Sequence, residues 1–167
     1  RDLHDGLGSM LSLLRMKTEQ GEPSLPLIDS IHTELRRTAH HLMPEELLKN
    51  GLCAALNDFA ISVPGATFQV IGNIRLNKDK EIVLYRCAYE LVNNAIKHAK
   101  AEHISIQLMQ ESQQVTLTVS DDGKGMQDSK EGMGLQNIRE RITPYHGSIN
   151  IASVEGQGTD INITLPL

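Results

Sequence analysis

Glu90-Leu91-Val92-Asn93-Asn94-Ala95-Ile96-Lys97-His98, Asp121-Asp122-Gly123-Lys124-Gly125 and Gly132-Met133-Gly134-Leu135 follow one another in the second half of the chain. On an α-helix Glu90, Asn94 and Lys97 stand at i, i+4 and i+7, on one face. A carboxylate, a carboxamide and an amine on one stripe suit a metal and a phosphate; they equally suit a solvated helix face. Asp121 follows the alternating run Val115-Leu117-Val119, so it stands at the end of a strand. Glycines at +2 and +4 let the following loop bend sharply and bring backbone against a ligand. Such a carboxylate can accept a hydrogen bond from an exocyclic amine, although Asp-Gly is also a common hairpin turn. Gly132 and Gly134 open a helical pattern, where free backbone N–H groups and the helix dipole favour phosphate. The spacing is neither GxxxxGK[ST] nor a complete GxGxxG. Gly158-Thr159, entering the final strand, completes the set.

Around these motifs the hydrophobic period predicts helices at 52–62, 79–98 and 134–145. Strands are expected at 66–72, 103–110, 114–121, 148–154 and 159–165, with clear alternation in Ile104-Ile106-Leu108 and Ile161-Ile163-Leu165. A sheet with one apolar face covered by helices gives a two-layer α/β sandwich for residues 49–167. Residues 1–48 read differently. Leu3, Leu7, Met10 and Leu14, then Ile28, Ile31, Leu35, Thr38 and Leu42, recur in steps of three and four, separated by Gly21-Glu22-Pro23-Ser24-Leu25-Pro26. This is a helical hairpin too small to bury its own seam. Pairing two copies into a four-helix bundle predicts a homodimer. The fold class is therefore α+β, a dimerising hairpin followed by a sandwich.

Composition narrows the function. Sixteen Lys and Arg against 21 Asp and Glu give a net charge of −5, and aromatics are 3% with no Trp. That speaks against nucleic-acid binding, which needs a basic face or stacking platforms. No apolar run approaches the roughly 18 residues of a membrane span, so no direct membrane contact is expected. Cys53 and Cys87 lie in apolar segments without zinc spacing and read as reduced thiols of a cytoplasmic protein. Residue 1 is Arg and the helical pattern is already running by Leu3, as in a segment of a longer protein.

ExxxNxxKH, DxGxG, GxGL and a GT before a terminal strand ending Leu165-Pro166-Leu167 resemble, in order and spacing, the nucleotide-binding boxes of the GHKL ATPases. Sensor histidine kinases, type II topoisomerases, mismatch-repair ATPases and a heat-shock chaperone share that fold. Arg1-Asp2-Leu3-His4-Asp5-Gly6-Leu7-Gly8 further resembles the phosphoacceptor box of the histidine-kinase subclass that includes nitrate sensors and a membrane-fluidity thermosensor. The stretches around Leu35-Arg36-Arg37, Leu42-Met43-Pro44 and Gly51-Leu52-Cys53-Ala54-Ala55-Leu56 are similar to the same subclass.

The resemblance implies ATP and Mg²⁺, with Asn94 as metal ligand and Asp121 receiving the adenine amino group. Lys97 and His98 would face phosphate. Gly123, Gly125, Gly132, Gly134, Leu135 and Thr159 would line the nucleotide. Glu90 would orient a metal-bound water or the acceptor. His4 would take the γ-phosphoryl group and pass it to an aspartate on a response regulator receiver domain. Asp5, beside it, is placed to hold the Nδ1 proton so that Nε2 can attack. Gly6 and Gly8 support a close approach there, since each costs a helix about 1 kcal/mol against Ala. The whole protein would be anchored in the cell membrane with this part in the cytoplasm. The alternatives are another GHKL ATPase, an anti-sigma-type serine kinase, or a degenerate dimerisation scaffold. One departure is Ser9, where the subclass usually has a Gln implicated in dephosphorylating the partner; weak phosphatase activity is expected.

Overall fold

The computed structural model describes residues 15, 16, 28, 45–126 and 133–167. The chain divides into two compact units, Arg1–Pro44 and Glu45–Leu167. The hairpin seam apart from Ile28, the bundle, His4, Asp5, Ser9 and Gly132 lie outside the described residues. The boundary expected at 48/49 falls inside the helix Glu45–Ser62, whose Leu47 is only 1% exposed and packs in the core of the second unit. Lys78 Nζ also donates to Leu47 O at 3.1 Å.

The second unit begins with α1 (Glu45–Ser62), which breaks at Gly51, where φ is 84°. It continues through β1 (Ala66–Ile71), α2 (Lys78–Asn94), a π-helical turn (Ala95–Ala99), β2 (Ile104–Gln110) and β3 (Gln114–Asp121). After the glycine-rich loop come α3 (Met133–Ile142), a 3-10 turn (Thr143–Tyr145), β4 (Ser148–Val154) and β5 (Gly158–Pro166). α2 starts where the sequence supplies a cap: Asn77 accepts from Lys80 N–H at 2.9 Å, and Asp79 and Glu81 occupy the first turn. The expected helix 79–98 is corrected at its end, since α-helical hydrogen bonding stops at Asn94 and the next turn is π.

The five strands form one sheet in the order β1-β2-β3-β5-β4. Only β1 and β2 run parallel; the other neighbours are antiparallel. Register sorts the side chains into rows. Leu108, Leu117, Ile163 and Ile149 stand opposite one another, and so do Ile106, Val119, Ile161 and Ile151. These rows meet Leu84, Cys87, Ala88, Leu91 and Val92 of α2, Ile138 and Ile142 of α3, and Leu56 and Phe59 of α1 in one core. Thr116, Thr118, Asn162 and Thr164 alternate to the other face. There Thr118 Oγ1 donates to Asn162 Oδ1 at 2.7 Å. One apolar and one polar face from a period-2 pattern is what an antiparallel sheet covered on one side requires. Among the described residues no helix is long and apolar enough to cross a membrane.

Candidate functional site

The apolar rows stop at one end of the sheet. The next row pairs Asp121 of β3 with Thr159 of β5, and Thr159 with Ser153 of β4. Side chains directly opposite on antiparallel strands lie about 5 Å apart at Cβ, so these three form a polar strip continuing the helix-covered face. Thr159 is 7% exposed. Asp121 is half-buried, and its Oδ1 accepts from Gly123 N–H at 2.9 Å. Burial pushes the Asp121 carboxyl above the usual carboxylate range; the Gly123 hydrogen bond opposes this, while the charges of Asp122 and Asp160 add to it.

Asp121 does not close a hairpin, since β3 pairs with β2 and β5 rather than with the strand that follows it. The loop instead turns back over the π-helical turn. Lys124 N–H donates to Ala99 O at 2.9 Å, and Gly123 is buried against Ala99. Asp122 anchors this crossing. Its Oδ1 accepts from the N–H groups of Glu102 and His103, both at 2.9 Å, and its Oδ2 lies 2.8 Å from His103 Nδ1. The His103 N–H and ring, ahead of Glu102, hold the Asp122 carboxyl below the usual range. On its other side the loop is tied to the β4–β5 hairpin: Gly156 N–H donates to Lys124 O at 2.8 Å and Met126 N–H to Ser153 Oγ at 2.9 Å. Gly125 sits there with φ 72°, a left-handed conformation that favours glycine.

Glu90 and Asn94, four residues apart on α2, are both half-buried. The start of α3 approaches them so closely that a Cβ on Gly134 would lie 2.5 Å from Glu90 Oε1 and 3.2 Å from Asn94 Nδ2. A carboxylate, a carboxamide and a side-chain-free helix start therefore converge in one cradle. That donor set suits a hard cation sharing its ligands with phosphate oxygens and water. Among the described residues there is no group of three or more His, Cys, Asp or Glu able to hold a metal.

Residues 79–167 match the family described as histidine kinase-, DNA gyrase B- and HSP90-like ATPases, over more than half of the chain. The chain belongs to this ATPase family. Among curated proteins it is similar to the sensor histidine kinase LiaS of Bacillus subtilis, at 29% identity over 100% of this chain and 52% of that protein. It is also similar to the histidine-protein kinase/phosphatase UhpB of Salmonella typhimurium, at 24% identity over 99% of this chain and 37% of that protein. The chain thus spans about half or less of the length of these relatives. The histidine kinase domain of a blue-light activated kinase from Erythrobacter litoralis has the same fold, with a TM-score of 0.62 and 20% identity over 96% of this chain and 85% of that one.

Within the ATPase-family fold, Glu90, Asn94 and Gly134 meet on one side, and Asp121, Gly123, Gly125 and Thr159 gather at the sheet end. Lys97 and His98 are exposed on the π-helical turn, so the expected i+7 stripe from Glu90 does not continue as an α-helix. Leu135 is 6% exposed and packs in the core, which assigns it to holding α3 in place. Two residues escaped the sequence reading. Asp122 could have been noticed as a second acid beside Asp121; Ser153 carries no local signal, because it joins the site only through the register of β4 on β5.

Proposed function

We propose that the chain is the core of a sensor histidine kinase that uses ATP and Mg²⁺ to phosphorylate its own His4 and then passes the phosphoryl group to an aspartate of a response regulator. The observation that carries the ATP part is the convergence of Glu90, Asn94 and Gly134 in one cradle, one loop away from Asp121 and Thr159. Similarity to sensor histidine kinases over the full chain, His4 included, favours this reading over a serine kinase or an inactive scaffold.

In this reading Asp121 accepts from the adenine amino group, and Thr159 lies beside it. Asn94 would hold Mg²⁺, which would supply positive charge to neutralise the phosphates. Lys97 and His98 face the phosphates from the exposed turn, and the N-terminus of α3 at Gly134 offers them backbone N–H groups. His4 Nε2 forms a bond to the γ-phosphorus as the bond to the β,γ-bridging oxygen breaks and ADP leaves. Asp5 holds the Nδ1 proton throughout, and Glu90 orients the groups around the metal. Dimerisation through the 1–48 hairpin would bring His4 and a docked regulator together. We place the segment on the cytoplasmic side of a longer, membrane-anchored protein, where ATP and receiver domains are found.

The test is incubation with labelled Mg-ATP. Phosphate that is acid-labile and base-stable is expected on the wild-type chain and absent from His4→Gln, with ATP binding retained. Undiminished labelling of His4→Gln would overturn the assignment.

A further inference from the structure

Ser153 occupies an unusual position in the hydrogen bonding at the sheet end. Its Oγ receives Met126 N–H at 2.9 Å, lies 3.1 Å from Gly158 O and lies 3.1 Å from Thr159 Oγ1. A hydroxyl has one proton and two lone pairs. Gly158 O can only accept, so the Ser153 proton goes there. Met126 N–H takes one Ser153 lone pair. The remaining contact, with Thr159, is then a hydrogen bond only if Thr159 donates. Ser153 is thereby saturated, and the single Thr159 proton is directed at it.

Thr159 is left with lone pairs alone for anything else it touches. Its neighbour in the row is Asp121, whose Oδ1 takes Gly123 N–H and whose Oδ2 is left as a further acceptor. The row shared by β3 and β5 therefore offers acceptors and no side-chain donor. An exocyclic amine, with two protons, matches it; a carbonyl oxygen in the same place would meet only lone pairs and would strand them unpaired.

We infer that Ser153 is a positioning residue that sets base selectivity: by fixing the Thr159 hydroxyl as an acceptor, it makes the sheet end select a 6-amino purine over a 6-oxo purine. The same oxygen holds the base of the glycine-rich loop through Met126, which ties base recognition to the position of the loop. This rests on the ATP reading above and extends it to a residue on a strand that contributes no other site group.

The experiment compares dissociation constants for ATP and for inosine triphosphate, which differ at the purine 6-position, in the full 167-residue chain with Mg²⁺. The wild-type chain is expected to prefer ATP. Ser153→Ala frees the Thr159 proton to turn toward a carbonyl, so the preference should shrink about tenfold, the equivalent of one hydrogen bond. Ser153→Thr keeps a hydroxyl at the same position and should retain the wild-type ratio. Circular dichroism and thermal midpoints establish that both variants fold. Equal weakening of both nucleotides by Ser153→Ala, no change at all, or failure of Ser153→Thr to retain the ratio would overturn the inference and leave the ATP reading standing. A wild-type chain that binds the two nucleotides equally would overturn the ATP reading itself, and the inference with it.

Discussion

The two ends of the sheet's helix-covered face are built from the same strands in the same register, yet they differ in kind. At one end Leu108, Leu117 and Ile163, all 0% exposed, fill the space under α2 with methyl groups. At the other, Asp121, Thr159 and Ser153 stand in a corresponding row, with Thr159 buried and Asp121 and Ser153 half-buried. Side chains at the first end are satisfied by one another. At the second, a carboxylate, a threonine hydroxyl and the cradle at Gly134 present polar groups instead. The difference teaches that this fold stores stability and recognition in separate rows of one face, so the two can be perturbed separately.

The largest effect is expected at the apolar end. Leu117→Ala removes a fully buried side chain and should cost about 2–5 kcal/mol, read as a lower urea midpoint, with ATP affinity of the folded fraction unchanged. A changed preference between nucleotides in that variant would break the separation.

Next comes Asp121→Asn. A carboxamide keeps the bond from Gly123 but can present a donor where the carboxylate only accepts, so ATP affinity should fall roughly ten- to a hundredfold. Stability should move the other way. Because burial raises the folded-state pKa of Asp121, this group favours folding at low pH, and the contribution is lost as pH rises through the folded value. Its removal should therefore raise the unfolding midpoint at neutral pH. A lower midpoint would show that the carboxylate is structural.

Gly134→Ala sharpens the comparison further, by placing a methyl against Glu90 and Asn94. ATP affinity measured with Mg²⁺ should drop about tenfold, the size of one lost interaction, with little change in unfolding. The smallest effect belongs to Asp122→Asn. Its pKa is lowered in the folded state, so its contribution is present above the unfolded value and lost as pH falls through the lower folded value. The variant should therefore show a flatter decline in stability on acidification than the wild-type chain, measured as unfolding midpoints from neutral pH downward.

Much of this was legible in the sequence. Alternation in Val115-Leu117-Val119 and Ile161-Ile163-Leu165 marked the strands and their buried faces, because a strand sends successive side chains to opposite sides. Spacing put Glu90 beside Asn94, one helical turn apart, and Asp121 ahead of two glycines. These are local relations, set by chain geometry within a few residues. The tertiary structure decided what the local pattern leaves open. Strand order brought β5 between β3 and β4, so that Thr159 joins Asp121 from 38 positions away along the chain and Ser153 joins Thr159. Packing of α3 on α2 brought Gly134 against Glu90, and a π turn after Asn94 ended the stripe that an unbroken α-helix would have continued to Lys97. Periodicity tells which face a residue takes; which residue stands opposite it depends on pairing between distant segments, and that is fixed only when the whole core packs.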